Sequence, residues 1–170
     1  MVNFKWQMVN VRAKERGFGL LEVVVGLSIL SLSYFALSNV ARQMVRVGRE
    51  TSRDLVASYL LEEGVEAIRA IRDGGWTTYI TPLSGTKYLT FRTSPSALWQ
   101  TTDTPETIDS VYSRSFDVAS VYRDINQDIT TSGGMLDPNT KKFTVTVTWH
   151  GSNATTTRSV ATYLTNYFND

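Results

Sequence analysis

Glu22 is an acid in surroundings that demand an explanation. It stands alone within residues 18–41, a run of 24 residues that carries no other charge. A carboxylate at the centre of a bilayer-spanning helix costs about 2.5–3.5 kcal/mol on insertion scales, and less near an end. Such an acid therefore sits at the interface or meets a cation. Cleavage after Gly17 would create an α-amino group on Phe18, four residues before Glu22 and on the same helical face. An amine and a carboxylate, each costly alone in lipid, can neutralise one another within a chain or between chains.

The other chemistry-bearing residues form weaker constellations. Asp124, Asn126 and Asp128 start like a calcium loop. The required Gly is then replaced by Ile129, and the twelfth position is Met135 instead of Glu. The segment reads as a polar turn, with calcium binding left as an open alternative. His150 is the only histidine and has no serine in a nucleophile-elbow setting, so it reads as an exposed turn residue. Asn153-Ala154-Thr155 fits a glycosylation sequon. Trp76, Trp99 and Tyr112 are aromatic residues for a partner or, more ordinarily, for a core. There is no cysteine, so disulfides, thiolate metal sites and a cysteine nucleophile are excluded. Nothing points to catalysis or to a cofactor, and no complete metal-ligand set is present.

The elements that must position these residues divide the 170-residue chain. A helix over 18–41 would be about 36 Å long, enough to cross a bilayer core of about 30 Å. Ahead of it, residues 1–17 carry Lys5, Arg12, Lys14 and Arg16 against Glu15, a basic flank that suggests a cytoplasmic N-terminus. Arg42, Arg46, Arg49 and Arg53 follow it, so flanking charge alone does not settle orientation. A secretory signal cut near Ala36-Leu37-Ser38 is an alternative, although its apolar region is usually shorter. The 17 Lys+Arg and 16 Asp+Glu give a net charge of +1. That balance argues against strong intrinsic nucleic-acid binding.

Arg16-Gly17-Phe18-Gly19-Leu20-Leu21-Glu22, followed by the apolar run, resembles the signal of type IV prepilins and pseudopilins. The resemblance implies cleavage between Gly17 and Phe18 by a prepilin peptidase, and methylation of the Phe18 amine. It implies that Glu22 attracts a neighbouring subunit's N-terminal amine during assembly. It also implies an inner-membrane, single-pass subunit held in lipid by its helix, with the head outside the cytoplasm. An assembly platform then moves it into a cell-surface or periplasmic filament of other pilin or pseudopilin subunits. Removing the leader would leave 13 positive and 15 negative charges, net −2. The family's major subunits usually have a helix-kinking Pro near the position of Asn39, and many close a disulfide loop. Both are missing here, which favours a minor pilin. A minor pseudopilin of a type II secretion system and a membrane-anchored binding module that never polymerises are the alternatives.

Beyond the apolar run, residues 42–75 read as an amphipathic helix. Ala57, Leu61, Gly64, Ile68 and Ile71 form one stripe, with a frayed or bent stretch expected over 48–53. Glu66–Arg69 and Arg69–Asp73 have pairing distances, and Gly74-Gly75 should end the helix in a left-handed turn. Residues 76–170 read as a β-rich head. Strands are expected over 87–92, 111–122, 142–149 and 156–168, and a loop over 94–106. Phe143, Val145, Val147 and Trp149 should share one face. A long N-terminal helix on an antiparallel sheet is α+β, which is also the pilin-like architecture.

Overall fold

The computed structural model describes residues 19–94, 98–151 and 154–167. The leader, with Gly17 and Phe18, lies outside the described residues, as do Pro95, Asn153 and Phe168. The chain divides into two compact units, Met1–Arg46 and Val47–Asp170.

Helix α1 runs from Leu20 to Asp73. Gly19 opens it, its carbonyl accepting the amides of Glu22 (2.9 Å) and Val23 (3.3 Å). No proline interrupts the helix, and the residues over 48–53 are helical throughout. The fraying expected there from the lapsed stripe does not occur. Arg53 pairs with Glu50 one turn back (3.9 Å) and donates to the carbonyl of His150 (3.3 Å), so side-chain ties replace the missing apolar contacts. At the other end the Gly74 amide donates to Ala70 and Ile71, and the Gly75 amide to Arg72. The expected left-handed turn is absent: Gly75 adopts φ 140°, ψ 117° instead, a conformation that favours glycine. Asp73 pairs with Arg72 (2.8 Å) and not with Arg69, which is held by Glu66.

Residues from Trp76 were expected to enter strands and turns directly. Instead Trp76–Ile80 form a π-helical turn, closed by the Thr81 amide on the Trp76 carbonyl (2.9 Å). The antiparallel sheet follows: β1 (Gly85–Arg92), β2 (Leu98–Thr102), β3 (Thr107–Ile108), β4 (Tyr112–Arg123), β5 (Ile129–Thr130), β6 (Met135–His150) and β7 (Thr155–Thr165). The spatial order is β2-β1-β4-β6-β7, with β3 and β5 paired to β4. Strand β2 falls within the expected loop. It pairs with β1 and sets Trp99 edge-on against Phe91 at 5.0 Å, a cross-strand aromatic contact that local composition did not signal. Strand β6 starts seven residues earlier than expected, and the β4–β6 register shifts between Ser120 and Val121. That irregularity accommodates Pro138, which cannot donate to a regular ladder.

The layout is α+β: the Val47–Asp73 part of α1 packs on the antiparallel sheet. Ala67, Ile68 and Ile71 meet Phe116, Phe143, Val145 and Leu164 in the main core, closed by Trp76, Ile80, Leu83 and Leu89. A second cluster joins Ala57 to Tyr112, Val147 and Trp149. The alternation expected along β6 is therefore present, with Phe143, Val145, Val147 and Trp149 all buried against the helix.

Gly64 marks a close approach of α1 to the sheet. A Cβ built there would lie 2.8 Å from Val145 Cγ1 and 3.2 Å from Arg114 Cδ. Val145 is β-branched and fully buried, so it has no room to yield. We predict that Gly64→Ala destabilises the detergent-solubilised chain by about 1–3 kcal/mol, although Ala is intrinsically the better helix former. Chemical denaturation at matched detergent checks this, and an unchanged or raised midpoint would refute the packing argument.

Candidate functional site

The described part of the first unit, residues 19–46, is the apolar half of α1. Among the described residues, α1 is the helix long and apolar enough to cross a membrane, and none of its most apolar window is buried. Leu20, Leu21, Leu27, Leu30, Leu32, Tyr34, Phe35 and Leu37 are all exposed. An apolar surface on all faces is unfavourable in water and suited to lipid or to other apolar helices. Three of its hydroxyls are satisfied locally. The hydroxyls of Ser28, Ser31 and Ser33 each donate to the carbonyl four residues earlier at 2.8 Å. Sequence reasoning did not single out these serines. Their signal was a hydroxyl with a helical carbonyl in reach one turn back, which removes a donor that lipid could not satisfy.

Glu22 lies in the first turn of α1 and is exposed. The unpaired amides and dipole of a helix start favour a carboxylate there. This placement offers a local source of stabilisation that the sequence reading did not consider, besides a cation from elsewhere. Gly17 and Phe18 are not described, so the Phe18–Glu22 relation expected from the spacing is not brought together here.

In the head, Arg114 and Arg158 tie the sheet to α1. Arg114 follows the inward alternation of β4 and is only 5% exposed. Its Nη1 donates to Glu63 Oε2 (2.6 Å) and to the Leu60 carbonyl (3.2 Å), and its guanidinium lies 5.2 Å from the centre of the Trp99 ring. Burial of an unpaired guanidinium would cost several kcal/mol, so Glu63 and the ring are what permit it. Arg158 on β7 grips Asp54 on α1 with two bonds, 2.8 and 3.3 Å. The hydrogen bond from Arg158 holds the Asp54 carboxyl below its ordinary range. Lys141 donates to the carbonyls of Ile80, Thr81 and Leu83 at 3.0, 2.7 and 2.8 Å, closing the end of the π-helical turn. Burial there pushes the Lys141 ammonium down. At the other end of β4, burial pushes Asp137 up, but hydrogen bonds from Arg123, Thr140 and the Asn139 amide outweigh it and leave the carboxyl lowered.

The remaining sequence candidates have structural duties. Asp124 Oδ1 accepts the amides of Asn126 (2.8 Å) and Asp128 (3.0 Å), so it is spent on a turn. Among the described residues, no three His, Cys, Asp or Glu side chains converge as a metal would need. His150 ends β6, exposed, with Nδ1 3.3 Å from Thr155 Oγ1. Trp76 and Tyr112 are buried, and the Tyr112 hydroxyl reaches the Arg53 carbonyl at 3.4 Å.

Two outcomes are expected from these ties. Glu63→Ala takes the anion from buried Arg114 and, because Glu63 is itself half-exposed, should destabilise the chain by about 1.5–3 kcal/mol, against about 0.5 kcal/mol or less for Glu62→Ala, whose carboxylate has no ion-pair partner among the described residues. Equal effects in denaturation would remove the tie. Asp54 and Asp137 hold their protons more weakly folded than unfolded. Their stabilisation is thus present above the unfolded value and lost as pH falls through the folded one. The Asp54→Asn, Asp137→Asn double variant should show a shallower fall of its thermal midpoint on acidification than the parent, and parallel curves would contradict this.

No family model, curated protein or solved structure matches the chain.

Proposed function

We propose that this chain is a minor structural subunit of a type IV pilus-like filament, processed by a prepilin peptidase and assembled through its N-terminal helix. The observation that carries the reading is the division of labour along α1. One continuous helix is apolar on every face and exposed over its first half, and carries a single stripe packed on a sheet over its second. The resemblance of residues 16–22 to a prepilin signal and the α+β layout support it further.

In this reading the peptidase cuts between Gly17 and Phe18 and methylates the new amine. The apolar helix holds the subunit in the inner membrane with the head outside the cytoplasm. The helix then leaves lipid for the filament core, where other subunits' helices cover the same side chains. Glu22 has two uses along that path. In lipid its place in the first helical turn limits its cost. In the filament it draws the Phe18 amine of a neighbouring subunit, because a cation and an anion in an apolar core neutralise one another. The chain performs no catalysis in this role. A minor pseudopilin of a type II secretion system would use the same parts in a shorter, periplasmic filament.

The mature protein should have the mass of a chain beginning at methylated Phe18, and a different start would reject the processing. Gly17→Ala should block or slow that cleavage. Glu22→Ala should leave membrane insertion intact and lower incorporation into filaments about tenfold, the factor that about 1.4 kcal/mol of lost pairing produces. Normal incorporation, measured on sheared filaments, would remove the assembly role of Glu22.

A further inference from the structure

Strand β7 is the last strand on its side of the sheet, and no described strand pairs with its outer edge. It pairs with β6 without a register shift over its whole length. The direction of its backbone groups follows from the two ends of that pairing. The Asn166 amide donates to Asn139 and the Ala154 carbonyl accepts from Gly151, both at 2.8 Å. Since bonding alternates with period two, even-numbered residues turn their backbone groups toward β6. Thr155, Thr157, Ser159, Ala161, Tyr163 and Thr165 turn theirs outward. Edge strands are commonly protected by proline, a bulge, lysine or a covering element. Strand β7 has no proline or lysine, and its one charge, Arg158, is drawn to Asp54.

A groove lies beside this edge. Leu61, Val65 and Val160 line it together with Glu62, Glu66 and Arg69, and its volume is about 510 Å³. A strand added to β7 would turn alternate side chains toward α1, over those apolar residues. The acids of the lining favour a basic residue among them. Glu66 is taken by Arg69, whereas Glu62 has no ion-pair partner among the described residues.

We propose that the outer edge of β7 receives an extended strand of a different protein subunit, with apolar residues on its helix-facing side and a basic residue beside Glu62. Backbone bonding provides the affinity and the groove selects the side chains. A second copy of this chain fits less well, because the only basic residue of its β7 is held by its own Asp54. The proposal rests on the head alone and does not depend on leader processing or on Glu22.

The test uses the full chain in detergent micelles and a synthetic peptide copying residues 141–149, the strand that β7 already accepts on its inner edge. That peptide places Phe143, Val145 and Val147 on one face and carries Lys141 and Lys142. Hydrogen exchange resolved to single amides is followed as peptide is added. The amides of Ser159, Ala161 and Tyr163 should slow at least about tenfold, while those of Val160 and Leu164 stay as they were. Ala161→Pro removes an outward donor without breaking a bond to β6, and should weaken peptide binding at least about tenfold. Protection retained at Val160 and Leu164 shows that the variant is folded, and Ser159→Pro serves the same purpose if it is not. Glu62→Lys should weaken binding as well. The proposal is overturned by no binding at about 1 mM peptide, a level that still registers weak association. It is also overturned by unchanged binding in the folded proline variants, or by protection appearing on β2 instead. Outward amides that become protected with rising chain concentration and no peptide would assign the edge to a second copy, which also overturns it.

Discussion

The head depends on how closely α1 can approach its sheet. At Gly64 the helix backbone comes near enough to Val145 that even one added carbon would intrude. That approach lets Ala57, Ala67, Ile68 and Ile71 reach the inward side chains of β4 and β6, so small residues beside large ones set the depth of the core. The same closeness explains Arg114. A charge on the inward face of β4 is tolerable because the helix brings Glu63 and the Leu60 carbonyl within bonding distance, while β2 brings up the Trp99 ring. The core is therefore an apolar seam with one buried, partnered cation beside it.

Polar ties secure the places where the seam ends. Arg53, Asp54 and Arg158 bind the turn at which the apolar stripe lapses. Lys141 gathers the carbonyls of Ile80, Thr81 and Leu83, at the end of the π-helical turn and just beyond it. Each tie lies at the rim of the packing, where side chains can reach one another yet water is partly excluded. Their individual contributions are modest where exposed. Their value lies in keeping helical a stretch that packing does not hold, and this is why residues 48–53 do not fray.

Several features were legible because they depend only on local pattern. The stripe from Ala57 to Ile71 and the alternation along β6 follow from spacings of 3.6 and 2, and the stop after Asp73 follows as locally from Gly74-Gly75. Others were not. Strand β2 is short and polar and exists through its pairing with β1. The π-helical turn at Trp76–Ile80 is fixed by the burial of Trp76 and Ile80 and by Lys141, sixty residues away. Arg69 prefers Glu66 to Asp73, a choice between two permitted partners that spacing alone leaves undecided. Arg114 gave a partial signal, since it occupies an inward position in an alternating strand, but its carboxylate partner lies on another element.

The amino-acid sequence by itself determined where the chain is suited to lipid and where to water, because that depends on side-chain transfer free energies summed over a continuous run. It likewise determined the α+β class, the isolation of Glu22, and a resemblance confined to a short segment. Only the tertiary structure decided which charges meet, how deeply the helix sits on the sheet, and which strand is left with an unpaired edge. Those outcomes depend on residues far apart in the chain arriving at the same place, and on the order in which strands pair, neither of which a local pattern encodes.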